Sequence, residues 1–143
     1  MGRIVAIDYG RKRTGLAVTD TMQIIAGGLC TVPGDEAAGF LKAYVTREKV
    51  DLFVIGYPKQ MNNEPSANMQ HVKAFAGRLQ KEIPEIPVEY VDERFTSVMA
   101  HQAMIDGGLR RKRRQEKALV DEISATLILQ GYLEKKRLTI DNS

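Results

Sequence analysis

Arg3-Ile4-Val5-Ala6-Ile7-Asp8-Tyr9-Gly10-Arg11-Lys12-Arg13-Thr14-Gly15-Leu16-Ala17-Val18-Thr19 is the stretch that decides the fold. Its two apolar runs, Arg3-Ile7 and Gly15-Thr19, are short and rich in β-branched residues, the pattern of two strands. The segment between them carries glycine and charge, so the strands meet through a turn. Asp8 ends the first run and precedes Gly10, which sets a carboxylate at a strand end beside permissive backbone. A turn aspartate that accepts hydrogen bonds from the following amides is the plainer reading of Asp8 alone.

Outward from this hairpin, a third strand is expected near Ile24-Val32, making three antiparallel neighbours. The pattern then changes. Asp35 is placed to cap a helix reaching about Arg47, and Asp51-Ile55 reads as a buried strand. A helix from Glu64 to Glu82, with Pro65 in its first turn, ends at Pro84 and Pro87, and Val88-Val91 forms the next strand. Thr96 to Asp106 reads as a helix closed by Gly107 and Gly108, and a final helix runs from about Gln115 to Lys136. Three antiparallel strands followed by two parallel strands, joined through helical crossovers, describe an α/β fold with a five-stranded mixed sheet flanked by helices. The expected organisation is one domain over residues 1–138 and a short polar tail over 139–143.

The 143 residues suffice for one core, and 43% hydrophobic with 27% charged residues fits a globular protein rather than a disordered or fibrous one. Cys30 is the only cysteine, so no intrachain disulfide can form and a reducing compartment is the default. His71 and His101 fall on helical segments at spacings unsuited to zinc. The apolar runs stop well short of the ~20 residues that span a bilayer, so no membrane partner and a cytoplasmic location are expected. Net charge is +3, yet Arg110, Arg111, Lys112, Arg113 and Arg114 are five consecutive cations, so the basicity is local. Such a patch suits a polyanion, because binding phosphates releases condensed counterions. A solvated charged loop is the alternative.

Two further sets of acids accompany Asp8. Asp92 and Glu93 follow the strand Val88-Val91, and by period-two alternation only one of them enters a given site. Both also suit the N-terminal region of the helix expected from Thr96. Asp121 shares a helical stripe with Ala118, Ala125 and Ile128, where an unpaired charge would be costly to bury. Lys117, one turn earlier, offers it an ordinary ion pair. Taken together, an acid after the first strand, one after a later strand and one on the closing helix supply hard oxygen donors with few soft ligands nearby. Mg2+ or Mn2+ fits such a set. Two ions about 4 Å apart would activate a water and stabilise the departing oxygen of a phosphodiester.

Asp8-Tyr9-Gly10-Arg11-Lys12-Arg13-Thr14-Gly15, Ile55-Gly56-Tyr57-Pro58, Asp92-Glu93-Arg94-Phe95-Thr96-Ser97, and Asp121 with Ser124-Ala125 and Ile128-Leu129 resemble, in that order, the blocks of the YqgF family, also called the RuvX type. The resemblance covers nearly the whole chain. It implies a ribonuclease H-like fold, a three-acid metal site, a cytoplasmic location and nucleic-acid hydrolysis. Residue by residue it marks Asp8 and Asp121 as metal ligands and the Asp92-Glu93 pair as the source of the third, for which Glu93 is chosen. Asn63 stands where family members often carry glycine, and asparagine tolerates the positive φ of a turn.

Arg11, Lys12 and Arg13 lie beside Asp8 and are candidate phosphate donors, as are Lys59, Arg94 and the run Arg110, Arg111, Lys112, Arg113, Arg114. Tyr57 is placed to stack on a base. The resemblance supports a metal-dependent nuclease acting on structured RNA, namely precursor 16S ribosomal RNA or a ribosomal precursor particle, or on four-way DNA junctions. A junction resolvase needs paired sites and hence a two-fold dimer, whereas a processing nuclease can act as a monomer, the state favoured here. An actin-like or sugar-kinase ATPase also begins with Asp-x-Gly and a hairpin, but closes two such domains over ATP. A non-catalytic nucleic-acid-binding module is the remaining alternative.

Overall fold

Ile4, Val5, Ala6 and Ile7 are apolar at every position because their strand is covered on both faces. In the computed structural model, which describes residues 2–57, 69–92 and 117–141, this strand is β1 (Arg3–Asp8), at the centre of a five-stranded sheet. β1 pairs antiparallel with β2 (Thr14–Thr19), and β2 pairs antiparallel with β3 (Ala26–Val32). On its other side β1 pairs parallel with β4 (Val50–Tyr57), which pairs parallel with β5 (Val88–Asp92). The order is therefore β3-β2-β1-β4-β5, the mixed sheet expected from the sequence.

Parallel neighbours need crossovers. Helix α1 (Ala37–Arg47) links β3 to β4, α2 (Met69–Glu82) lies between β4 and β5, and α3 (Lys117–Asp141) follows β5. Strand alternation sorts the core into two layers. Val5, Ile7, Phe53 and Ile55 meet Leu41 of α1 and Val72, Phe75 and Leu79 of α2. Ile4, Ala6, Leu52 and Val54 meet Ala125, Ile128, Leu129 and Leu133 of α3 on the opposite face.

Several boundaries differ by a residue or two from the sequence reading, and three differences have a local reason. β3 starts at Ala26 rather than near Ile24, because the Asp20 carboxylate accepts the amides of Met22, Ile24 and Ile25 at 3.1, 2.8 and 2.9 Å. Gln23 adopts a φ of 58° in the same turn. Side-chain acceptance of this kind replaces the ladder with a turn. Asp35 makes no cap: a 3-10 turn at Gly34–Glu36 precedes α1, and neither it nor the helix has a side-chain cap bond. The Pro33 carbonyl accepts the Glu36 amide at 3.0 Å, so a tight turn satisfies the donors that a capping carboxylate would have taken. Finally, α3 continues to Asp141 and absorbs most of the stretch expected to fray. Residues 132–141 contain no glycine or proline to stop it.

The expected helix start at Glu64 and Pro65, the helix over 96–106, the cations Lys59, Arg94, Arg110, Arg111, Lys112, Arg113 and Arg114, and Glu93 and Asn63 lie outside the described residues. Among the described residues, no helix is long and apolar enough to cross a membrane.

Candidate metal and nucleic-acid site

β1 delivers Asp8 to its C-terminal end. Ile4 and Ala6 pack on the α3 side, and Asp8 shares their parity, so its half-buried carboxylate leaves the sheet toward α3. Across the β1–β2 ladder its partner is Gly15. A Cβ at Gly15 would overlap the Asp121 carbonyl oxygen and crowd the Glu122 amide, so α3 lies directly on the β2 backbone at this point. The missing side chain thus admits a helix from the far end of the chain and sets Asp121 beside the end of β1. Asp8, Tyr9, Gly10, Arg11, Lys12, Arg13 and Asp121 together line one cleft of about 320 Å3.

The basic turn is pinned from within. Thr14 is fully buried; its hydroxyl donates to the Gly10 carbonyl at 3.0 Å and accepts the Gly10 amide at 3.3 Å. A side chain at Gly10 would overlap the Arg13 carbonyl oxygen, so only glycine lets the turn close this tightly. Tyr9 stacks on Phe75 of α2, with ring centroids 4.5 Å apart. The backbone is fixed on both sides, while the side chains of Arg11 and Lys12 stand exposed.

One ion pair lies within the cleft. Arg13 Nε donates to Asp121 Oδ2 at 2.8 Å, with the two side chains 39% and 23% exposed. Asp121 sits at the rim of the buried stripe formed by Ala125 and Ile128, as the helical spacing implied. Arg13, a residue of the turn, is an ionic partner of Asp121; the side chain of Lys117, expected as a partner from the sequence, lies outside the described residues.

The end of β5, where Asp92 lies, belongs to the same edge of the sheet. β1, β4 and β5 are parallel, so their C-terminal ends lie together, and Tyr57 pairs with Asp92 at the last register position. β5 stands two strand spacings from β1, roughly 10 Å. Val91 packs toward α3, the side to which Asp8 also turns. Among the described residues no three His, Cys, Asp or Glu side chains cluster around a common point. The structure therefore brings together Asp8, Arg11, Lys12, Arg13 and Asp121. Gly15 and Thr14 were missed as site-building residues. Their signals were a glycine in the first turn of a strand and a threonine at its start, four residues after Gly10.

Comparison with known proteins bears on the chain as a whole. The sequence profile of a family described as RuvX, Holliday junction resolvase, matches residues 2–135. A protein of Parabacteroides distasonis is 64% identical over 137 residues, 96% of this chain and 98% of its own length, and is assigned as a pre-16S rRNA nuclease. A Bacteroides fragilis protein with the same assignment is 64% identical over 138 residues, covering 96% of this chain and all of its own length. One from Flavobacterium psychrophilum is 56% identical over 136 residues, 95% of this chain and 99% of its own length. Among solved structures, Thermus thermophilus RuvC in complex with a Holliday junction substrate superposes with a TM-score of 0.54 at 16% identity, covering 96% of each chain. At that identity the likeness speaks to the fold alone, which is ribonuclease H-like.

Proposed function

The chain belongs to the RuvX family, and from that premise we propose that it is a cytoplasmic, metal-dependent endonuclease that processes the 5′ end of precursor 16S ribosomal RNA. The observation that carries the proposal is the convergence of Asp8 and Asp121, 113 positions apart in sequence, on one cleft walled by a basic turn. The assignment of relatives 64% identical over nearly their full length supports the substrate.

The donors fit a hard divalent cation: two carboxylates at a cleft, an arginine cation already held by one of them, and no soft ligand among the described residues that line it. Asp8, Asp121 and Glu93 are the proposed ligands. Glu93 is preferred to Asp92 because it shares parity with Val91, which packs toward α3. Mg2+ or Mn2+, as two ions, would supply an activated water and neutralise the departing oxygen. The chain's own part is electrostatic and positional. Asp8 and Asp121 fix the acceptor oxygens from a strand end and a helix backed by core. Arg11, Lys12 and Arg13 hold phosphate at the cleft, and Lys59, Arg94, Arg110, Arg111, Lys112, Arg113 and Arg114 extend that hold along the RNA. A monomer serves this reaction, with a ribosomal precursor particle as its partner.

The family description favours a second reading, cleavage of four-way DNA junctions by a two-fold dimer. One assay separates the two. Purified protein is incubated with precursor rRNA, single strands and four-way junctions in Mg2+ or Mn2+, beside Asp8→Asn and Asp121→Asn. The proposal expects cleavage of precursor rRNA that falls by at least about a hundredfold in either variant. Equal cleavage by all three proteins would reject the site; symmetric junction nicks from a tight dimer would replace the substrate.

A further inference from the structure

We infer that Arg13 is a stand-in cation: its guanidinium holds a ligand oxygen of Asp121, and on metal loading it releases that oxygen and turns to the substrate phosphate. This rests on the reading of Asp121 as a metal ligand.

The geometry supplies the reasons. Arg13 Nε lies 2.8 Å from Asp121 Oδ2, within the cleft that Asp8 also lines. A guanidinium at that distance takes up one of the acceptor positions of the carboxylate that a divalent ion could use, and two cations held by one carboxylate repel each other. The pair is easy to exchange, because both side chains are partly solvated and water screens their attraction. The Arg13 side chain can move alone, since the turn backbone is held by the Thr14 hydroxyl and by the close approach at Gly10. Its planar fork of donors suits a phosphate, and Arg11 and Lys12 stand beside it on the same wall. The device keeps Asp121 neutralised until the metal arrives, and then delivers a cation to the scissile strand.

A permanent brace on Asp121 would make the opposite prediction for metal affinity. If Arg13 only orients the carboxylate, its removal weakens metal binding. If Arg13 competes for the oxygen, its removal tightens it. Loss of one positive charge also favours a cation non-specifically, so Lys12→Gln, in the same turn and exposed, sets that baseline.

The test is calorimetric titration of Mn2+ into metal-free wild type, Arg13→Gln, Lys12→Gln and Asp121→Asn, with NMR of the Arg13 Nε–H in wild type during Mg2+ titration. We expect Arg13→Gln to bind Mn2+ roughly two- to five-fold more tightly than Lys12→Gln. The Nε–H should lose its protection from solvent exchange as Mg2+ saturates the wild type. Arg13→Gln binding Mn2+ no better than Lys12→Gln, or an Nε–H still protected at saturation, overturns the inference and leaves the nuclease reading standing. The NMR arm needs no variant, so it decides the matter even where Arg13→Gln folds poorly. Wild type that binds no Mn2+, or binds it as well as Asp121→Asn does, removes the metal site itself and the inference with it.

Discussion

Gly15 carries more of the site than any charged residue beside it, because it sets the distance between a strand and a helix. Its absent side chain is filled by the Asp121 carbonyl oxygen, opposite Asp8 in the ladder. Gly15→Ala forces backbone apart rather than a flexible side chain. It is expected to destabilise the protein by about 1–3 kcal/mol, read by urea denaturation, and to weaken Mn2+ binding at the same time. A variant of unchanged stability and metal affinity would show that α3 can yield at no cost. At the opposite end of the hairpin, Asp20 is held below the usual carboxylate range by the amides of Ile25 first, then Ile24 and Met22. A lowered folded pKa means that its contribution is complete above the unfolded value of 3.8 and is lost as pH falls through the lower folded value. Asp20→Ala is therefore expected to lower Tm at neutral pH, with the gap from wild type closing below pH 3.8; a gap that persists unchanged into that range would contradict the cause.

At the scale of elements, the strands were legible because β1 and β4 are buried on both faces and write continuous apolar runs, Ile4-Ile7 and Leu52-Ile55. Their neighbours follow from turn chemistry. What was not legible depended on atoms that periodicity ignores: the Asp20 side chain taking amides from the would-be start of β3, and the Pro33 carbonyl taking the Glu36 amide where a cap was expected. The apolar stripe of α3 was readable, and so was the place of Asp121 on it. The Arg13 partner was not, because the two residues lie 108 positions apart and meet only through the sheet. The same helix offers a prediction. Leu129 is fully buried against the sheet, and Leu129→Ala is expected to cost about 2–5 kcal/mol in chemical denaturation, since the rigid sheet cannot close the cavity. A loss below 1 kcal/mol would mean that α3 settles into the space, and that its hold on Asp121 is softer than the packing indicates.

For the molecule as a whole, the parallel strands β1, β4 and β5 bring their C-terminal ends to one edge, and α3 crosses the sheet so that a residue near the end of the chain faces one near its start. The ribonuclease H-like plan is thus a way of closing two distant acids on one cleft, with the first turn as its basic wall. Family membership names nucleic-acid cleavage as the chemistry, and the proposal that this cleft performs it rests on the way the sheet brings Asp8 and Asp121 together. The most direct test is an anomalous difference map from a crystal soaked in Mn2+. A peak within roughly 2.0–2.6 Å of carboxylate oxygens from both Asp8 and Asp121 is the predicted result. Peaks that touch only one of the two, or lie on another face of the protein, would contradict it.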